Sequence, residues 1–303
     1  MNKIIVSIVL TLILVIGINK ITDVIYSVEK PEKSAYQVAS VASDADATSA
    51  EKSSVASESG DIMALFASAS AAEGAKVILT DILEQEGKGL AKEIGGEARF
   101  HKLDVTSEES VSEMTNFVET DLGPIGALIN SAGIIHNPEG ITEFSLDDFD
   151  AIHSVNYRGT FLCCREIGGL MQKRGNGTIA NLGSILSFMP YQVTAYTVGK
   201  AALKSLTEIL AAEMGEKNVR VNAVAPGYVI TPAMKARIES GHRDTSKMLQ
   251  QNALPKLVTA KNVGDALWFL CSDEASAITG VTLPVDCGIL CALPYRAFPN
   301  YHT

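Results

Sequence analysis

The chain has no cluster of cysteine or histidine at ligand spacing, no excess of positive charge, no internal repeat and a single long apolar run. Its cysteines (Cys163, Cys164, Cys271, Cys287 and Cys291) stand at no metal or redox spacing. The adjacent Cys163 and Cys164 are expected to pack on a helix rather than to bond. His101, His136, His153, His242 and His302 are scattered, so no metal site is expected and each reads as a surface or packing histidine. A net charge of -10 with pI ≈ 5.0 argues against nucleic-acid binding. Between Ser27 and Gly60 the composition shifts to Ser, Ala, Asp, Glu and Val, with no aromatic after Tyr36. Such a stretch buries too little apolar surface to offset its ordering entropy, and a flexible tether is expected there.

The apolar run is Ile4 to Ile18, preceded by Lys3 and interrupted mildly by Ser7, Thr11 and Gly17. It falls short of the roughly 17–25 residues that span a bilayer comfortably, although Asn19 to Tyr26 can extend it at the interface. No A-x-A-like site follows closely, which favours an uncleaved anchor helix over a cleaved signal peptide. Lys3 before the run and Lys20, Lys30 and Lys33 after it weakly favour a cytoplasmic C-terminal side, and the orientation stays open. The expected organisation is a membrane anchor at 1–26, a linker at 27–60 and one α/β unit at 61–303, an ordinary size for a single domain.

Within that unit, apolar strands are expected near Val77–Thr80, Arg99–Leu103, Ala127–Ile129, Gly177–Leu182, Arg220–Ala225 and Thr282–Val285. Helices are expected near Ser107–Thr120, Ser145–Arg174, Ala195–Glu216 and Asn262–Leu270. Such alternation implies a parallel sheet. Tyr196 and Lys200 stand four residues apart, on one helix face. An ammonium beside a phenol favours phenolate, and a tyrosine so tuned is a usable general acid or base.

Around that pair stand Gly177-Thr178-Ile179-Ala180-Asn181-Leu182-Gly183-Ser184, Val219-Arg220-Val221-Asn222-Ala223-Val224-Ala225-Pro226-Gly227 and Ala127-Leu128-Ile129-Asn130-Ser131-Ala132-Gly133. In this order, from about Glu73 to Gly288, the set resembles the short-chain dehydrogenase/reductase family. The resemblance implies a Rossmann-like doubly wound sheet and a tetrad of Asn156, Ser184, Tyr196 and Lys200. Ser184 lies one residue nearer Tyr196 than the family's spacing, with Ser187 as the substitute. Tyr196 would exchange a proton with the substrate oxygen while hydride moves at the nicotinamide. Ser184 would hold that oxygen, Lys200 would lower the tyrosine pKa and bind ribose, and Asn156 would hold a water linking Lys200 to solvent.

The resemblance also implies cofactor contacts. Val77-Ile78-Leu79-Thr80-Asp81 is an apolar strand ending in a carboxylate, which in a dinucleotide fold accepts ribose hydroxyls and favours NAD over NADP. Asp104 and Val105 would meet the adenine, Asn130, Ala132 and Gly133 the adenosine ribose and its supporting turn, and Pro226, Gly227, Val229 and Thr231 the carboxamide. Pro232–Lys256 resembles the substrate lid, and Met189, Tyr191 and Gln192 are candidate pocket residues. Expected partners are a small alcohol or ketone, the membrane, and a second copy of the chain as a homo-oligomer.

One family element is missing. The TGxxxGxG turn that brings backbone close to a pyrophosphate at a helix N-terminus should fall at Ser57, Asp61 and Met63, and none is glycine. The preceding Glu51-Lys52-Ser53-Ser54-Val55-Ala56 lacks the pattern of a buried strand, so a sheet truncated at its N-terminus is expected. Residues 1–77 instead resemble the anchor and tether of membrane-bound c-type cytochromes. The features are the anchor, Val28-Glu29-Lys30-Pro31-Glu32-Lys33 and the Ala-rich Asp61–Ser68. The CxxCH haem motif occurs nowhere, so no haem is expected. A chimera with its joint near Ala72 to Val77 follows, as an oxidoreductase or as an inert fusion unable to hold cofactor.

Overall fold

Short apolar runs separated by capped helices build a parallel sheet covered on both faces. The computed structural model describes residues 11–16, 35–40, 58–72, 74–136 and 138–297. In chain order the elements begin with β1 (Thr11–Ile16), β2 (Ala35–Ser40), α1 (Glu58–Ala72), β3 (Lys76–Asp81) and α2 (Glu84–Ile94). Next come β4 (Arg99–Lys102), α3 (Glu108–Phe117), β5 (Ile125–Asn130), α4 (Leu146–His153), α5 (Thr160–Arg174) and β6 (Gly177–Leu182). After these stand α6 (Thr194–Gly215), β7 (Val219–Pro226), β8 (Val229–Ile230), α7 (Pro232–Glu239) and α8 (Thr245–Gln251). The chain then forms β9 (Val258–Thr259), α9 (Ala260–Cys271), β10 (Thr282–Val285) and α10 (Ile289–Arg296).

β10, β7, β6 and β5 run parallel in that order, and β3 and β4 form a second parallel pair. The side chains of β6 are all buried and those of β5 nearly so, as strands between two helical layers require. On one face α3, α5 and α6 cover Ile78, Leu128 and Ile179 with Met114, Ile167, Leu203 and Leu210. On the other, α1 and α9 meet through Met63, Phe66, Val263 and Leu267 over Val77, Leu79 and Ile129. Phe66 and Trp268 lie with ring centroids 6.5 Å apart. Helix starts carry their own caps: Ser107 accepts from Ser110 N–H, Ser145 from Asp148 N–H, and Thr259 forms a capping box with Asn262.

Between β5 and β3 lies the central slot, and here several expectations are corrected. Within the expected anchor helix, Thr11–Ile16 is a strand, and within the expected tether, Ala35–Ser40 is a strand. The rest of 1–57 lies outside the described residues, including the stretch Glu51–Ala56. Among the described residues no helix is long and apolar enough to cross a membrane. The physical reason is chemical match: Thr11, Ile13, Val15 and Ile16 are β-branched, and the slot offers two rows of backbone groups that need partners. The truncated sheet is thereby completed from further upstream.

Both strands reach the same edge. Val77 and Ile78 are registered against Leu14 and Ile13 of β1, antiparallel, and against Gln37 and Val38 of β2, parallel. β4 holds the other edge of β3. One edge offers each N–H and C=O once, so β1 and β2 are rival occupants of a single slot. β2 is the occupant that a crossover through α1 into parallel β3 requires. The full order is β10-β7-β6-β5-β1-β2-β3-β4, with β1 also paired to β2; through β2, bonded to both β3 and β5, the parallel strands form a doubly wound sheet. The register of β2 against β5 shifts between Tyr36 and Ala39.

Candidate active site

The strands β5, β6 and β7 end together, and their C-terminal loops enclose a cavity of about 370 Å³. α6 starts at its wall. That helix buries Gly199, Lys200, Leu203, Thr207 and Leu210 on one face, which fixes Tyr196 and Lys200 one turn apart at its beginning. Lys200 Nζ lies 5.4 Å from the centroid of the Tyr196 ring and donates to Leu182 O at 2.5 Å. Lys200 is only 3% exposed, and this burial pushes its ammonium down to about 8.

Ser184 follows β6 and lines the cavity with Tyr196 and Lys200. Its Oγ accepts from Leu186 N–H at 3.2 Å. Ser187 is not part of the wall; its hydroxyl donates to Lys200 O at 2.7 Å and supports the helix from behind. Of the two candidate serines, Ser184 faces the chamber. Asn156 sits on a π-helical turn, Ser154–Gly159, and is fully buried. Its amide grips Ile134 twice: Oδ1 accepts from Ile134 N–H at 2.7 Å and Nδ2 donates to Ile134 O at 2.8 Å. The adjacent Gly133 lies beside both groups, since a Cβ there would stand in ordinary contact with Asn156 Oδ1 at 3.4 Å and Lys200 Nζ at 3.7 Å. Asn156 therefore sets the loop that walls Lys200.

Gly133, Pro226, Gly227 and Val229 line the same cavity. Gly227 admits no side chain, because a Cβ would come within 2.9 Å of Asp286 Cα. Thr231 is buried and caps α7 by accepting from Met234 N–H, outside the wall. Asn130 points into the core, where Nδ2 donates to Asn181 Oδ1 at 2.9 Å and Asn181 Nδ2 passes the chain to Thr207 at 3.0 Å. Ala132 and Val105 are buried in the same core, and Val105 is so close to the π-helical turn that a Cβ on Gly159 would meet its Cγ2 at 2.7 Å. Asp104 closes a turn by accepting from Thr106 N–H and Oγ1.

Asp81, at the end of β3, is fully buried. Its Oδ1 accepts from Leu83 N–H at 2.8 Å, while Oδ2 has no partner. Burial raises its carboxyl from 3.8 to about 8, so it holds a proton at neutral pH, and the nearby Glu86 pushes the same way. A buried carboxyl with one unsatisfied oxygen fits a ribose hydroxyl, and the glycine-lined end beside Lys200 fits a flat carboxamide-bearing ring. The start of α1 fits a pyrophosphate poorly. Its first turn carries Glu58 and Asp61, and Met63, at the third glycine's place, is wholly buried in the core. That glycine ordinarily allows close helix–strand packing.

Sequence reasoning missed several wall residues: Ile62, His136, Tyr228, Arg237, Arg243 and Gln251. Met189, Tyr191 and Met234 reach the wall, and Gln192 does not. His136, three residues after Gly133 in the loop from β5, is buried and packs on Phe144 with ring centroids 4.3 Å apart, as expected of a packing histidine, and it also reaches the wall.

A sequence model for the family described as enoyl-(acyl carrier protein) reductase matches residues 55–290. A 3-alpha-(or 20-beta)-hydroxysteroid dehydrogenase of Mycobacterium tuberculosis is 34% identical over 75% of this chain and 84% of its own. A (+)-borneol dehydrogenase 2 of Salvia officinalis is 33% identical over 71% of this chain and 80% of its own. The crystal structure of a gluconate 5-dehydrogenase from Burkholderia cenocepacia, in complex with NADP and tartrate, superposes with TM-score 0.72 at 26% identity, covering 77% of this chain and 92% of that one. The chain belongs to the short-chain dehydrogenase/reductase family.

Proposed function

We propose that the chain is an oxidoreductase that interconverts an alcohol and a ketone with a nicotinamide cofactor, NAD(H) in preference to NADP(H), and that its hold on the cofactor is weak. The observation that carries this reading is the convergence of Tyr196, Ser184 and Lys200 on one cavity, with Pro226, Gly227 and Val229 across it. A bound nicotinamide supplies or takes the hydride at the carbon. Tyr196 gives its phenolic proton to the carbonyl oxygen in reduction and takes it back in oxidation. Ser184 donates a hydrogen bond to the same oxygen. Lys200 holds the ribose and stabilises the phenolate, and its depressed pKa lets it pass a proton onward near neutral pH. Asn156 positions the Gly133–Ile134 loop and holds a water beyond Lys200.

Preference for NAD rests on the acidic surroundings of Asp81 and Glu86, where a 2′-phosphate would meet no favourable charge. The hydroxysteroid and borneol dehydrogenases among its relatives support an alcohol or ketone as substrate. Replacing Tyr196 by Phe tests the assignment, with turnover below a tenth of the parent expected. Retention of more than that would sink it.

A second reading is an inert fusion that cannot bind cofactor, and the non-glycine residues Ser57, Asp61 and Met63 favour it. Titration of the full chain with NADH into the millimolar range separates the two, because only the enzyme reading requires binding that saturates there. Membrane tethering through Ile4–Ile18, a joint with a cytochrome-type leader, and assembly with further copies are separate proposals. Flotation with vesicles, a long genomic read across codons 60–81 and sedimentation test them in turn.

A further inference from the structure

The cavity is more basic than the chain that builds it. The sequence holds 25 Lys plus Arg against 35 Asp plus Glu, yet the wall carries Lys200, Arg237 and Arg243 and, among the described residues, no carboxylate. Arg237 lies on α7 and Arg243 in the turn after it, tied by a backbone bond from Arg243 N–H to Arg237 O at 3.0 Å. Both are half-buried. Several arginines elsewhere are engaged: Arg174 pairs with Glu119 at 2.7 Å, and Arg220 donates to Leu270 O and Ser272 O. The guanidinium groups of Arg237 and Arg243 have no such partner among the described residues. Two half-desolvated cations facing a chamber without a counter-charge are costly unless something anionic enters.

The corner they occupy belongs to the lid. Tyr228 Oη donates to Gln251 Oε1 at 3.0 Å, and both residues share the wall with Tyr191 and Arg243. Burial first and then Tyr191 raise the Tyr228 hydroxyl pKa, while Arg243 acts against them, which places all these groups within electrostatic reach of one another.

We propose that the substrate bears a carboxylate held by Arg243 and Arg237 while its carbonyl or carbinol carbon lies at Tyr196, so that the site takes oxo and hydroxy acids. This rests on the assignment of Tyr196 as proton donor and deepens it. A planar guanidinium matches a carboxylate through paired N–H donors, and Gln251 and Tyr228 complete the polar corner. The substrate anion and a cofactor phosphate share this chemistry, so the test separates them.

Calorimetry on the full chain compares 4-oxopentanoate with its methyl ester. The acid is expected to bind roughly tenfold or more tightly, with a preference that weakens as salt rises. Arg243→Met and Arg237→Met are each expected to erode that preference while leaving the ester's affinity unchanged. Equal affinity of acid and ester, absence of any binding by the acid, or a preference that survives in the double variant would overturn the proposal. Weakened NADH binding in the double variant with an unchanged acid-to-ester ratio would also overturn it, by giving the arginines to a cofactor phosphate. In Tyr196→Phe the acid preference persists, so turnover retained by that variant would refute the proton-donor role without touching the anion site.

Discussion

The loops after β5, β6 and β7 and the start of α1 face one cavity with very different preparation. On the first side, Lys200 is held by Leu182 O, Gly227 is pressed against Asp286, and Asn156 holds Ile134 next to Gly133 by two hydrogen bonds. On the second, a helix with acidic residues in its first turn follows a slot that two upstream strands contest. The lesson is that a catalytic constellation and a phosphate grip are separable. The first needs side chains held by a rigid sheet, whereas the second needs backbone exposed at a glycine turn, and only the side chains of the first are gathered at one cavity here.

Restoring the weak side should have the largest effect. Grafting a TGxxxGxG turn directly ahead of α1, with β2 left in the slot, adds several backbone donors to phosphate, each worth about 1.5–3 kcal/mol. NADH affinity should rise by orders of magnitude, measured by fluorescence titration, and an unchanged affinity would erase the contrast between the two sides. Damaging the strong side comes next. In the grafted chain, Tyr196→Phe should lower turnover by roughly 10²–10⁴-fold with NADH binding intact. A parallel loss of binding would mean that the two sides are not independent.

Much of the strong side was legible in the sequence. Tyr196 and Lys200 announce themselves by spacing, and each expected strand from Val77 to Val285 is present. The serine was ambiguous by spacing, and the two are equally buried; Ser184 lines the cavity, whereas Ser187 turns to Lys200 O. The wall arginines were hidden, since Arg237 and Arg243 stand among polar lid residues with no periodic signal. The slot was misread for another reason: a run such as Thr11–Ile16 suits a membrane, a helix or a buried strand equally, and only the partner surface decides.

That partner surface can be probed by proline. Val38→Pro removes a ladder donor from β2 and should destabilise the fold by about 3 kcal/mol, whereas Ile13→Pro in β1 should leave it near the parent. Denaturant midpoints measure both, and the reverse pattern would assign the slot to β1.

A smaller effect concerns Asp81. Its folded carboxyl titrates near 8 against 3.8 for the free group. Between those values the folded state holds a proton that the unfolded state has lost, so stability falls as pH rises from about 4 to about 8 and stays low above. Asp81→Asn should flatten that slope and stabilise the cofactor-free chain at pH 8 by on the order of a few kcal/mol. Asp81→Ala should also narrow the gap between NAD and NADP, by the smallest margin of the set.

The separation of the two sides is tested most directly by the NADH affinity of the unmodified full chain, titrated at neutral pH. Binding too weak to saturate in the micromolar range, alongside a well-folded sheet, is the result expected. Saturable micromolar binding would show that another part of the chain supplies the phosphate grip, and would contradict the account.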